Sequence, residues 1–183
     1  MTDSALHHAT VDAARHEFRK TRRLVERAVA QLDDETLFLQ LNPDQNSIAV
    51  IMRHMAGNMG SRWVNFLTSD GEKPDRHRDG EFLEQTMPRS ELLQVWQDGW
   101  ACLDAALDAL QPGDLEREVV IRGESMPAVT AILRQISHYG QHAGQIVILA
   151  KHFKGEAWQY LSIPRGQSEA FNKRSPEQGK PNP

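Results

Sequence analysis

The sequence predicts an all-α fold, a four-helix bundle, on three observations. Four segments carry apolar residues at helical spacing, and the stretches between them are rich in glycine, proline and short polar residues. Only one short run, REVVIRGESM, has the β-branched character of strands.

The first helix is expected over 11–32, where Val11, Ala14, Phe18, Leu24, Val25, Ala28 and Leu32 form an apolar line beside a charged face. DDETLFLQLNPDQN connects it to a second helix over 47–67. Ser47 is its N-cap, and Ile48, Met52, Met55, Met59, Trp63 and Phe66 lie along one side. The polar stretch TSDGEKPDRHRDGEF then breaks the pattern and predicts a long crossover, either a functional connection or a solvated one.

A third helix is expected from 88–90 to 110, through Leu92, Val95, Trp96, Trp100, Leu103 and Leu107, and Gln111, Pro112 and Gly113 end it. The run Val119, Val120, Ile121 before Arg122-Gly123-Glu124 reads as a small hairpin. The fourth helix follows to about 151, capped by Ser125 or Met126, with Pro127 at its first position. GEAWQYLSIPRGQSEAFN is irregular, but Trp158, Tyr160, Leu161 and Phe171 predict that it packs along the bundle. One domain over 1–171 is expected, with 172–183 as a disordered tail.

Composition narrows the function classes. The 21 Lys+Arg against 25 Asp+Glu give a formal charge of -4, with the basic residues scattered along the sequence, which argues against nucleic acid as a partner. Cys102 is the only cysteine, so no intramolecular disulfide forms, and its setting in WACLDAAL predicts a small buried side chain in a reducing compartment. MTDSALHHATVDAARHEF has no basic-then-apolar signal pattern, and no segment has the length and apolarity of a membrane span. A soluble cytoplasmic protein is the expectation.

The chemistry is carried by ISHYGQHAGQ in the fourth helix. His138 and His142 are four residues apart, so their Cβ atoms stand roughly 5–6 Å apart, close enough for both imidazoles to reach one ion. A catalytic zinc takes three protein ligands and keeps a position for water. The strongest candidate for the third is His54 in IMRHMAGNMGSRW, on a polar but uncharged line with Ser47, Val50, Asn58, Ser61 and Asn65. In the fourth helix Arg134 is the only charged residue between Pro127 and Ala150, which predicts a helix enclosed on most sides.

The competing reading has three core histidines satisfied by backbone carbonyls, with no ion. His7, His8, His16, His77 and His152 are expected at the surface. Tyr139 follows His138 where a zinc protease would carry the glutamate of H-E-x-x-H, which disfavours peptide hydrolysis by that mechanism.

His54 on the second helix and SHYGQH on the fourth, with RHMAGNMGSRWVNFLTSDGEKPDRHRDGEF and LSIPRGQSEAFN, resemble a bacterial branch of the DinB-like, YfiT-like superfamily of metal-binding bundles. The similarity covers nearly the whole chain. It implies an up-down-down-up four-helix bundle, a divalent ion, zinc or nickel, on His54, His138 and His142, and a homodimer. Relatives in that superfamily include thiol S-transferases and isomerases that use bacillithiol or mycothiol, so the resemblance brings in a low-molecular-weight thiol as a candidate substrate.

Two functions follow. The first is a metal-dependent enzyme, a thiol S-transferase or hydrolase, in which an ion with an open position lowers the pKa of a thiol or of water. Arg62 is then a candidate anchor for an anionic substrate group, and Asn58 a candidate to orient a ligand, against an ordinary helix-to-helix hydrogen bond. Arg76, Arg78, Asp79, Arg165 and Gln167 either line the mouth of the site or are simply solvated. The second is a non-catalytic bundle in which the ion staples two helices. Three imidazoles accept nickel, zinc and copper alike, so the sequence does not choose the metal.

Overall fold

A computed structural model describes residues 2–173 of the chain. Among the described residues 63% are helical, with six α-helices and one two-stranded sheet, so the all-α expectation holds. The helices are α1 (Asp3–Val29), α2 (Ile48–Trp63), α3 (Arg78–Glu81), α4 (Arg89–Ala109), α5 (Ala128–Lys154) and α6 (Ser168–Asn172). The hairpin β1 (Glu118–Ile121) and β2 (Glu124–Pro127) precedes α5. None of the helices is long and apolar enough to cross a membrane.

The core explains why four of these helices pack together. α2 lies against α4 and α1 against α5, and α2 also touches α5. Phe18, Met55, Leu92 and Leu103 are buried between them, each contributing about 1.5–3 kcal/mol on removal from water. Trp96, Trp100 and Tyr139 complete the largest buried side chains. At Gly99 a Cβ would come within 2.9 Å of the Cα of Ala56, so only glycine permits this approach of α4 to α2.

Several boundaries differ from the sequence expectation. α1 begins at Asp3, eight residues earlier than expected, and His7 is buried on it instead of lying at the surface. His8, His16, His77 and His152 are exposed as expected, while Cys102 is only half-buried. Ser47 caps α2 as expected, its hydroxyl oxygen accepting from the Val50 amide at 3.2 Å. That helix stops at Trp63 because Val64 is extended and Asn65 is left-handed, with φ 52°.

Pro127 is the N-cap of α5 and the last residue of β2, one position earlier than expected. The hairpin pairs Val119 with Met126 and Ile121 with Glu124, and its turn residues Arg122 and Gly123 both have positive φ, 56° and 76°, as a tight antiparallel turn requires. α5 is not enclosed. Leu133 and Ile148 stand 60% and 69% exposed on its outer side. Lack of charge there does not mean burial, because α5 packs along its inner face only, through Ile132, Tyr139, Ala143 and Ile146.

The segment after α5 packs on the body through Trp158 and Leu161, and Gln31 holds it by exchanging two hydrogen bonds with the Gln159 backbone, 3.1 and 2.8 Å. Tyr160 remains largely exposed. The tail expected over 172–183 lies, beyond Lys173, outside the described residues.

The long connection after α2 is neither loose nor simply solvated. It runs back along α2 in register. Ser61 donates to the Gly71 carbonyl at 2.7 Å, Arg53 donates to the carbonyls of Gly80 and Leu83 at 3.2 and 2.9 Å, and Ser47 donates to the Glu84 carboxylate at 2.9 Å. Asp70 ties the same segment to the hairpin, accepting from the amides of Arg122 and Gly123 at 2.8 and 2.9 Å.

Candidate metal centre

His54 projects from the middle of α2, where it is 4% exposed, and His138 and His142 project from successive turns of α5. The contact between those two helices brings all three rings together. One ring nitrogen from each lies within 4.8 Å of the other two, and Nε2 of His138 is 3.2 Å from Nε2 of His142. Nitrogens bound tetrahedrally at about 2.0–2.1 Å stand about 3.3 Å apart, so this edge already has the length an ion would impose.

The other ring nitrogens are mostly occupied. Nδ1 of His54 donates to Glu81 Oε2 at 2.9 Å, which leaves Nε2 as the nitrogen His54 can offer. Nδ1 of His142 is 2.8 Å from Oε1 of Gln145. Nδ1 of His138 is buried with no hydrogen-bond partner among the described residues. Burial, then the neighbouring His142 and His54 rings, push the His138 pKa down to about 3, and burial also holds that of His142 below its usual value. Both rings are therefore neutral at physiological pH, the state a metal ion needs. The donor set fits a divalent ion of the zinc, nickel or copper kind.

Glu81 was not singled out from the sequence. It reaches His54 because α3 lies on α2 at Gly57, where a Cβ would sit 2.3 Å from Glu81 Oε1. A glycine one turn from His54 inside a helix was the available signal of a close approach. Arg76 grips the same carboxylate at two points, both 2.8 Å. Burial raises the Glu81 pKa, but the hydrogen bonds from His54 and Arg76 outweigh it and keep the carboxyl below its ordinary value. Phe82 lies against the His54 ring, centroids 4.6 Å apart.

The other expected site residues divide. Asn58 is buried, and its Oδ1 accepts from the Tyr139 hydroxyl at 3.0 Å while that hydroxyl accepts from Trp63 Nε1 at 3.1 Å. This is the helix-to-helix bond, made across the core. Arg62 is also buried, and its terminal nitrogens are engaged by the Gly71 carbonyl and by Glu72, so it ties the returning segment to α2 instead of standing free as an anchor. Asn58, Arg62, Arg76 and Arg78 line a cleft next to His54 and His138, whereas Asp79, Arg165 and Gln167 do not.

Comparison with known families adds one positive finding. A family model described as "Protein of unknown function (DUF1572)" matches residues 6–167. Among curated proteins no match is found.

Proposed function

The chain belongs to the DUF1572 family, part of the DinB-like superfamily, and from that premise we propose that it is a divalent-metal-dependent enzyme of the thiol S-transferase or hydrolase kind, built on an up-down-down-up four-helix bundle. The observation that carries the proposal is the convergence of three imidazole nitrogens from α2 and α5 within 4.8 Å. His54, His138 and His142 would hold the ion. Zinc or nickel bound there would supply Lewis acidity, lowering the pKa of a thiol or a water molecule.

This chain's own residues would do the rest. Glu81 fixes the His54 tautomer and raises its basicity as a ligand, and Arg76 keeps that carboxylate ionised and in place. Gln145 does the corresponding work for His142. Phe82 covers one face of His54 and limits the access of water.

An enzyme is favoured over a helix staple because the group of possible ligands, among the described residues, holds three side chains and no fourth. A small-molecule substrate, a low-molecular-weight thiol among the candidates, a cytoplasmic location and a homodimer belong to the same reading. The apolar side chains Leu133 and Ile148, exposed on the outer side of α5, support self-association.

Elemental analysis of protein purified without a histidine tag tests the metal. About one equivalent of zinc or nickel is expected, and the His54→Ala and His142→Ala variants are expected to lose it. Metal content unchanged by both substitutions defeats the proposed site. Metal-loaded protein screened with low-molecular-weight thiols and electrophilic acceptors, with His142→Ala as control, then tests catalysis.

A further inference from the structure

A cleft of about 200 Å³ opens beside the histidine cluster, and His54 and His138 form part of its wall. Five arginines form much of the remainder: Arg62 from α2, Arg76 and Arg78 from the returning segment, Arg122 from the hairpin turn and Arg134 from α5. In a chain of formal charge -4 this gathering is local, not a reflection of overall composition.

The nearby carboxylates account for only part of the charge. Glu72 accepts from Arg62 and Arg122 at 3.1 and 3.0 Å and lies 3.5 Å from Arg76, and Glu81 is held by Arg76 and His54. Three guanidiniums thus share two carboxylates. Asp70 is turned to the backbone amides of Glu72, Arg122 and Gly123. Among the described residues the carboxylates nearest Arg78 and Arg134 are Asp79 and Glu124, each at 3.8 Å with an exposed side chain, and Arg78 also lies over the Phe82 ring at 5.0 Å. Distances of that kind leave the guanidinium forks free to bind an oxyanion at two points. Low-dielectric walls lined by one sign of charge also concentrate anions.

We propose that this cleft binds the anionic end of the substrate, a phosphate- or carboxylate-type oxyanion, through Arg78 and Arg134, beside the guanidinium platform that Glu72 and Glu81 hold in place. The proposal rests on the metal-site reading insofar as the cleft shares His54 and His138 with the cluster, so the anionic group and the reacting group of one small molecule occupy neighbouring positions.

Calorimetric titration of the metal-free full chain with inorganic phosphate, and separately with succinate, at fixed ionic strength tests it. Saturable one-to-one binding is expected, weakened roughly ten-fold or more in the Arg78→Gln/Arg134→Gln variant. Both side chains are 46% exposed, so that variant retains the fold. The control Arg19→Gln/Arg23→Gln removes the same charge from exposed positions on α1 and is expected to leave binding within about two-fold. Binding of neither anion, or equal weakening by the control, overturns the proposal. The metal reading is tested separately, because His142→Ala is expected to lose zinc and keep phosphate. Zinc failing to bind any form would sink the metal site and leave the anion site standing.

Discussion

Glu81 and His54 meet at 2.9 Å through Oε2 and Nδ1, so the carboxylate occupies the ring nitrogen that the cluster does not use. A ligand histidine held in this way has its tautomer and orientation set before any ion arrives.

Glu81→Gln is therefore expected to weaken zinc binding about 10–100-fold, measured by competition with a chromophoric chelator. The three histidines remain in place in this variant. An unchanged affinity would show that the carboxylate has no influence on the cluster.

Two glycines of α2 are expected to respond oppositely to alanine. At Gly57 the new Cβ falls 2.3 Å from Glu81 Oε1, so Gly57→Ala displaces the carboxylate and lowers zinc affinity. At Gly60 no heavy atom of the described residues lies within 4 Å of an added Cβ beyond the helix's own backbone, so Gly60→Ala is expected to stabilise the fold by about 0.5–1 kcal/mol through helix propensity alone. Urea denaturation and zinc titration of the two variants side by side measure the difference.

Tyr139→Phe keeps the ring in the core and removes the hydroxyl that joins Trp63 Nε1 to Asn58 Oδ1. Two buried polar atoms lose their partner. A loss of about 1–3 kcal/mol in urea denaturation is expected, and a change near zero would mean that the pair finds other partners at no cost.

Asp70 gives the acid limb of stability a definite sign. Its carboxyl is held below the ordinary value of 3.8, first by the Glu72 amide and then by that of Gly123. The stabilisation is thus complete above that value and is lost as pH falls through the lower folded one. Asp70→Asn is expected to be less stable than the parent at neutral pH, with the gap closing in thermal melts taken from pH 5 to pH 2. A gap that stays constant over that range would show that the charge is not what the amides recognise.

The three clustered histidines were legible in the sequence because helical spacing is local. His138 and His142 need only one turn between them, and His54 only a place on the line of α2 that holds Asn58 and Ser61. The Ser47 cap and the hairpin turn at Arg122 and Gly123 were readable for the same reason. Glu81 was not, because its contact with His54 spans 27 positions and depends on the returning segment falling into register along α2. Tyr139 was read only for the glutamate it replaces, since its burial at the centre of the core follows from partners on α1, α2 and α4. The partners of Arg62 were hidden for a related reason: periodicity places a guanidinium on a face but does not reveal that Glu72 and the Gly71 carbonyl reach it.

The histidines belong to two core helices, whereas four of the five arginines beside them come from outside α2: from the returning segment, the hairpin turn and the exposed side of α5. The charge around the imidazoles is thus gathered mostly by the returning segment and the hairpin turn, with Arg134 sharing α5 with His138 and His142. A change within 68–88 is therefore felt at the imidazoles as well as in the cleft, because Glu81, which orients His54, lies in that stretch.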